Sequence, residues 1–172
     1  TWTLVTGAAK GIGRAICLSL AERQYSLVVH YNTSEKEARE LVQLLQGRGC
    51  KAEAIQGDFS SPAALVDFIG RYKCRFPATK NLINNVGNYL IASAANTSEE
   101  DWYALFQTNL HAPFVLTRAL LPSLKSAKGN IINLGFAGAG YRFTNVHCTA
   151  YNISKNALWM LTRSLAAELG PD

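Results

Sequence analysis

Thr3-Leu4-Val5-Thr6-Gly7-Ala8-Ala9-Lys10-Gly11-Ile12-Gly13 is the stretch whose reading decides the fold. Thr3 to Thr6 has the apolar, β-branched character of a buried strand, and a helical pattern begins directly after the glycines. Ile16, Leu18, Leu20 and Ala21 give that helix an apolar face, while Arg14, Glu22 and Arg23 take polar positions. The glycines therefore lie on a strand-to-helix turn, which is a place for a phosphate. Glycine allows the backbone to turn tightly and a pyrophosphate to come close, and the free N–H groups and dipole of a helix N-terminus favour negative charge. The spacing is Gly-x-x-x-Gly-x-Gly, so the commoner Gly-x-Gly-x-x-Gly fingerprint is met in placement and only loosely in spacing.

Outward from this turn, short apolar runs alternate with helical stretches along the chain. Strands are expected near 3–6, 26–31, 51–56, 80–84 and 130–134, and helices near 11–23, 35–47, 62–74, 98–124 and 149–169. That alternation predicts an α/β fold, a doubly wound parallel sheet of the Rossmann kind covered on both faces and joined by right-handed crossovers. A length of 172 residues, 48% of them hydrophobic and 17% charged, suits a single domain. No run of about 18 uncharged apolar residues suggests a membrane span. The N-terminus lacks the basic-then-apolar order of a signal peptide, so a cytoplasmic setting is expected. Cys17, Cys50, Cys74 and Cys148 form no Cys-x-x-Cys pair; they read as reduced thiols, with no zinc site and no disulfide framework. The net charge of +5 is scattered. Its densest stretch, Arg71, Lys73, Arg75 and Lys80, has no aromatic stacking platform beside it, so no nucleic-acid partner is expected.

Tyr151 and Lys155 carry the chemistry. In a helix, Tyr-x-x-x-Lys places a phenol and an ammonium one turn apart on one face. A neighbouring cation favours the phenolate and would pull the tyrosine pKa down toward the working range.

The chain resembles the short-chain dehydrogenase/reductase family, of the kind that includes 3-oxoacyl-carrier-protein reductases and pteridine reductases. The resemblance rests on Thr6 to Gly13, on Asn84-Asn85-Val86-Gly87, on Asn109 and on Tyr151-Asn152-Ile153-Ser154-Lys155, in that order. It implies one dinucleotide-binding domain over residues 1–172, with strand order 3-2-1-4-5 and two further strands beyond the fifth. The chain is accordingly expected to be an excerpt, incomplete at both ends, of a protein of family length. It further implies an oxidoreductase in which a nicotinamide delivers hydride to a carbonyl or imine carbon and Tyr151 gives the proton. Lys155 would hold the nicotinamide ribose, and Asn109 would stabilise a bend in the long helix and hold a water. The alternative is a cofactor-binding protein whose catalysis has decayed into a regulatory or structural use.

The resemblance also implies where the cofactor lies. Gly7, Lys10, Gly11, Ile12 and Gly13 would cradle its phosphates, Asp58, with Phe59 beside it, would meet the adenine amine, and Asn85, Val86 and Gly87 would line the adenosine ribose. At the end of the second strand Tyr31, Asn32, Thr33 and Ser34 offer no acid for a ribose 2'-hydroxyl. Hydrogen-bond donors there, with Lys10, favour a 2'-phosphate and so NADP (NADPH) as cofactor. No metal is expected.

One departure from the family pattern stands out. The serine that the family places three residues after the strand asparagine, usually 13 before the tyrosine, is missing: the two counts land on Phe136 and Gly138. Loss of such a donor costs about 10- to 1000-fold in rate when nothing replaces it. Tyr141, Thr144, Asn145, His147, Thr149 or a backbone N–H in Gly135-Phe136-Ala137-Gly138 could replace it. Finally, Trp102, Leu105, Phe106, Phe114, Val115 and Leu116, with Leu158, Trp159, Met160, Leu161 and Leu165, spread apolar surface around two helices. In the resembling family the equivalent helices pair across a two-fold axis, so a homodimer or homotetramer is expected.

Overall fold

The apolar runs between the helices become β1 (Trp2–Val5), β2 (Ser26–Tyr31), β3 (Ala52–Gln56), β4 (Thr79–Asn84) and β5 (Asn130–Asn133). All pair in parallel in one sheet, in the order β3-β2-β1-β4-β5. The computed structural model describes residues 1–138, 140 and 145–170. Parallel neighbours need long crossovers, and helices supply them: α1 (Gly11–Ala21), α2 (Glu35–Gly47), α3 (Pro62–Arg75), α4 (Glu99–Phe106) and α5 (Ala112–Ser126), with α6 (Thr149–Leu169) after β5. Strand alternation divides the core. Leu4, Val28 and Leu82 face Phe68, Tyr72, Leu116 and Leu120 of α3 and α5. Their neighbours Val5, Leu27, Val29 and Ile83 face Cys17, Leu41 and Leu45 of α1 and α2.

Amides fix the register on the β5 side. Asn81 Nδ2 donates to Thr3 Oγ1 at 2.9 Å, Asn130 Nδ2 to Asn81 Oδ1 at 3.1 Å, and Asn84 Nδ2 to Asn133 Oδ1 at 2.8 Å. Each couple is also a register pair of adjacent strands, so a one-residue slip would strand buried amides. The β3 edge is blunted by side chains: Gln46, Arg75 and Arg71 donate to the outward carbonyls of Ala52, Ala54 and Gln56.

The helix expected over 98–124 is interrupted. α4 ends at Phe106, a π-turn covers Gln107–His111, and α5 follows. Pro113 explains the break, because it has no N–H for the carbonyl four residues back and its ring crowds that turn. The Ala112 N–H instead reaches back five residues to Gln107 O.

Candidate active site

The glycine turn is built by close approach. Gly7 and Gly11 have φ of 61° and 53°. A Cβ on Gly13 would lie 2.4 Å from Gly7 O and 2.8 Å from Ala8 Cα, so only glycine lets α1 begin this near β1. Asn85 buttresses the turn from the end of β4, its Nδ2 donating to Thr6 O at 2.9 Å and Gly7 O at 3.1 Å. Thr6 Oγ1 accepts the N–H groups of Asn85 and Val86. Asn85 thus spends its amide on the loop backbone. The N–H groups of Gly11, Ile12 and Gly13 have no partner within α1 and lie at its open end, where Ile12 is exposed.

His30, the one polar residue in the apolar run of β2, completes this turn, and sequence reasoning passed over it. Gly7 N–H donates to His30 Nδ1 at 2.9 Å, which leaves Nε2–H to donate to Gly57 O at 3.0 Å. The ring is buried and stacks on Phe59 at 4.2 Å. Burial pushes its pKa down to about 4. The Phe59 side chain, expected beside the cofactor, therefore belongs to the core.

A second cluster joins the π-turn to α6. Asn109 is fully buried; its Oδ1 accepts Asn88 N–H at 2.7 Å, and its Nδ2 donates to Asn88 O at 3.0 Å and Ser154 Oγ at 3.1 Å. Lys155 Nζ donates to Leu134 O at 2.8 Å, and burial holds its pKa below the ordinary lysine value. A Cβ on Gly87 would lie 3.1 Å from Lys155 Nζ and 3.2 Å from Asn109 Oδ1, so Gly87 packs directly over this pair. Ser154 was missed by sequence reasoning, although it lies beside Lys155 in the quoted motif.

Tyr151 stands one turn before Lys155, half-buried. Tyr89 meets its ring edge-on at 4.6 Å and Phe136 at 5.9 Å. Its pKa is raised, first by burial and then by Cys148. The depression expected from Lys155 is not seen; that ammonium donates to Leu134 O. Tyr89 OH lies 3.0 Å from Cys148 Sγ, which puts a second phenol at the site that motif counting could not find. Phe136 is an aromatic wall where the family has serine. Of the replacements considered, Tyr141 and Thr144 lie outside the described residues. Asn145 Oδ1 accepts His147 N–H at 3.0 Å, Thr149 Oγ1 donates to Asn145 O at 3.5 Å, and His147 is exposed.

At the end of β2, Asn32 Nδ2 donates to Asp58 Oδ1 at 3.4 Å, and Asp58 also accepts Ser60 N–H and Oγ–H, each at 2.8 Å. Lys10 Nζ is 2.8 Å from Glu37 Oε1. Thr33 is exposed, and Ser34 caps α2 without a side-chain hydrogen bond. Among the described residues, no three His, Cys, Asp or Glu side chains gather as for a metal, and no helix is long and apolar enough to cross a membrane.

The model of the short chain dehydrogenase family matches residues 1–172. The chain belongs to that family. It is 30% identical over 175 residues to a short-chain type dehydrogenase/reductase of Picea abies, covering 96% of this chain and 64% of the relative. It is 32% identical over 168 residues to the 3-oxoacyl-[acyl-carrier-protein] reductase FabG of Staphylococcus epidermidis, covering 96% and 68% respectively. The chain thus spans about two thirds of the length of the curated relatives it matches. A blue fluorescent protein from a metagenomic library, solved in complex with NADPH, superposes with a TM-score of 0.90 at 33% identity, over 99% of this chain and 69% of that one. Within the short-chain dehydrogenases, then, this chain has the parallel sheet, the glycine turn and the Tyr-x-x-x-Lys helix in one frame.

Proposed function

We propose that this chain carries the cofactor-binding and proton-donating part of an NADPH-dependent oxidoreductase that reduces a carbonyl, of the 3-oxoacyl thioester kind, or a C=N bond. The observation that carries this reading is the continuous assembly of Asn88, Asn109, Ser154 and Lys155, set beside Tyr151 and under Gly87. It lies where ligands bind in open parallel sheets, outside the carboxyl ends of the strands. The glycine turn fits a dinucleotide: the Gly13 position has no room for a Cβ, and the open N–H groups of α1 face outward beside Lys10. NADPH in a structural neighbour supports the same cofactor here.

When bound, the nicotinamide supplies the hydride. Tyr151 donates its phenolic proton to the substrate oxygen or nitrogen as negative charge develops there. Burial, and then Cys148, hold its pKa above the ordinary phenol value. Lys155, desolvated and fixed through Leu134 O, presents donors toward the cofactor ribose. Asn109 keeps the α6 face in place through Ser154 and fixes the Asn88 backbone, so the site holds its shape before substrate arrives. Tyr89, whose hydroxyl lies 3.0 Å from Cys148 Sγ, brings a second phenol beside Tyr151, and Phe136 packs against the Tyr151 ring where the serine is absent. Steady-state oxidation of NADPH against oxoacyl thioesters, quinones and dihydropterins tests this function. Turnover with at least one class is expected; a protein that binds NADPH and reduces none contradicts it.

A further inference from the structure

Lys10 and Arg39 are each paired with an acid of the first turn of α2, the helix that follows β2. Lys10, the N-cap of α1, is 59% exposed at its side chain and pairs across elements with Glu37 at 2.8 Å. Arg39 is held by Glu35 through two bonds to one oxygen, at 2.6 and 2.9 Å. The Lys10 ammonium is the first cause that holds the Glu37 carboxyl below the ordinary carboxylate range. The segment Asn32-Thr33-Ser34 leads from β2 into α2, and there the Ser34 hydroxyl makes no capping bond, unlike Ser61 and Ser98 at their helices.

In dinucleotide-binding sheets, an acid at the end of the second strand binds a ribose 2'-hydroxyl and a nearby cation accommodates a 2'-phosphate; in this chain Glu37 stands just beyond that end, in α2. Here an acid and a cation are bound to each other. On the dinucleotide reading above, we infer that Glu37 is a specificity-determining residue: it is the resident counter-ion of Lys10, displaced by a 2'-phosphate and available as acceptor to a 2'-hydroxyl. A phosphate must break the Lys10–Glu37 pair and then sits near a freed carboxylate. A hydroxyl leaves the pair intact and donates to it. Glu37 thus narrows the preference for NADPH that Lys10 alone would set and lets the site take both dinucleotides.

Calorimetric titration of the parent, Glu37→Gln, Lys10→Ala and a distant charge control, Glu100→Gln, tests this without turnover. The probes are NADPH, NADH, and two fragments without nicotinamide, adenosine 2',5'-bisphosphate and ADP. Glu37→Gln should tighten NADPH and the bisphosphate about two- to fivefold, the scale of one exposed charge contact, and leave NADH and ADP unchanged or weaker. Lys10→Ala should weaken only the two 2'-phosphorylated probes. The inference is overturned if Glu37→Gln changes NADPH and NADH equally, or changes NADPH no more than Glu100→Gln does. A parent that binds none of the four probes overturns the dinucleotide reading itself, and the inference with it.

Discussion

At the residue scale, the strongest pH dependence should come from His30. Its pKa falls from 6.5 in an exposed setting to about 4 in the fold, because burial disfavours the imidazolium and Gly7 N–H needs a bare Nδ1. The unfolded chain therefore binds this proton more readily than the folded one. Stability from this group is complete above about pH 6.5 and lost as pH falls toward 4, a loss of roughly 3 kcal/mol. Denaturant unfolding between pH 7 and pH 5 should show this slope, and His30→Phe, which keeps a ring and removes the titration, should flatten it. A parent and variant with the same slope would exclude His30 as its source. The motifs made Tyr151, Lys155 and Asn109 legible in the sequence. His30, Ser154, Tyr89 and Glu37 were not, because their contacts join residues 23 to 59 positions apart, which no local pattern encodes.

At the element scale, the site depends on ties between segments far apart in sequence. The Asn85 amide joins the end of β4 to the glycine turn by two bonds, so Asn85→Ala should cost about 1–3 kcal/mol as the Thr6 and Gly7 carbonyls lose a partner. It should weaken NADPH at the same time, and calorimetric titration beside an unfolding curve reads both. Stability and affinity equal to the parent's would show that the turn holds its own shape. The expected strands and crossover helices lie close to those observed, because apolar runs and glycine turns are local signals. The reading of 98–124 as one long helix carried a bend at Asn109 from the family resemblance, and the structure gives that irregularity the form of a π-turn; Pro113 was the cue in the chain itself, and Asn109 holds the Asn88 backbone there. The Asn84–Asn133 and Asn81–Asn130 pairs were equally hidden, since facing partners are known only once register is known.

At the scale of the whole molecule, apolar surface remains on the helices beyond what the sheet covers. Phe114 and Met160 are exposed, although Arg118 lies over the Phe114 ring at 5.5 Å and Arg163 over Trp159 at 5.0 Å. These cations shield rings without burying the face, so a homodimer or homotetramer remains the proposed assembly. Light scattering of the intact protein at micromolar concentration should report more than a monomer, and a monomeric mass would contradict it. The central claim, that Tyr151 gives the proton in an NADPH-dependent reduction, is tested most directly by comparing the parent with Tyr151→Phe. Turnover is followed as loss of reduced nicotinamide in the presence of a reducible carbonyl, and NADPH affinity is measured on the same samples. The account predicts that Tyr151→Phe binds NADPH nearly as well as the parent and that its turnover falls about 100- to 10 000-fold; turnover at the parent rate would contradict it.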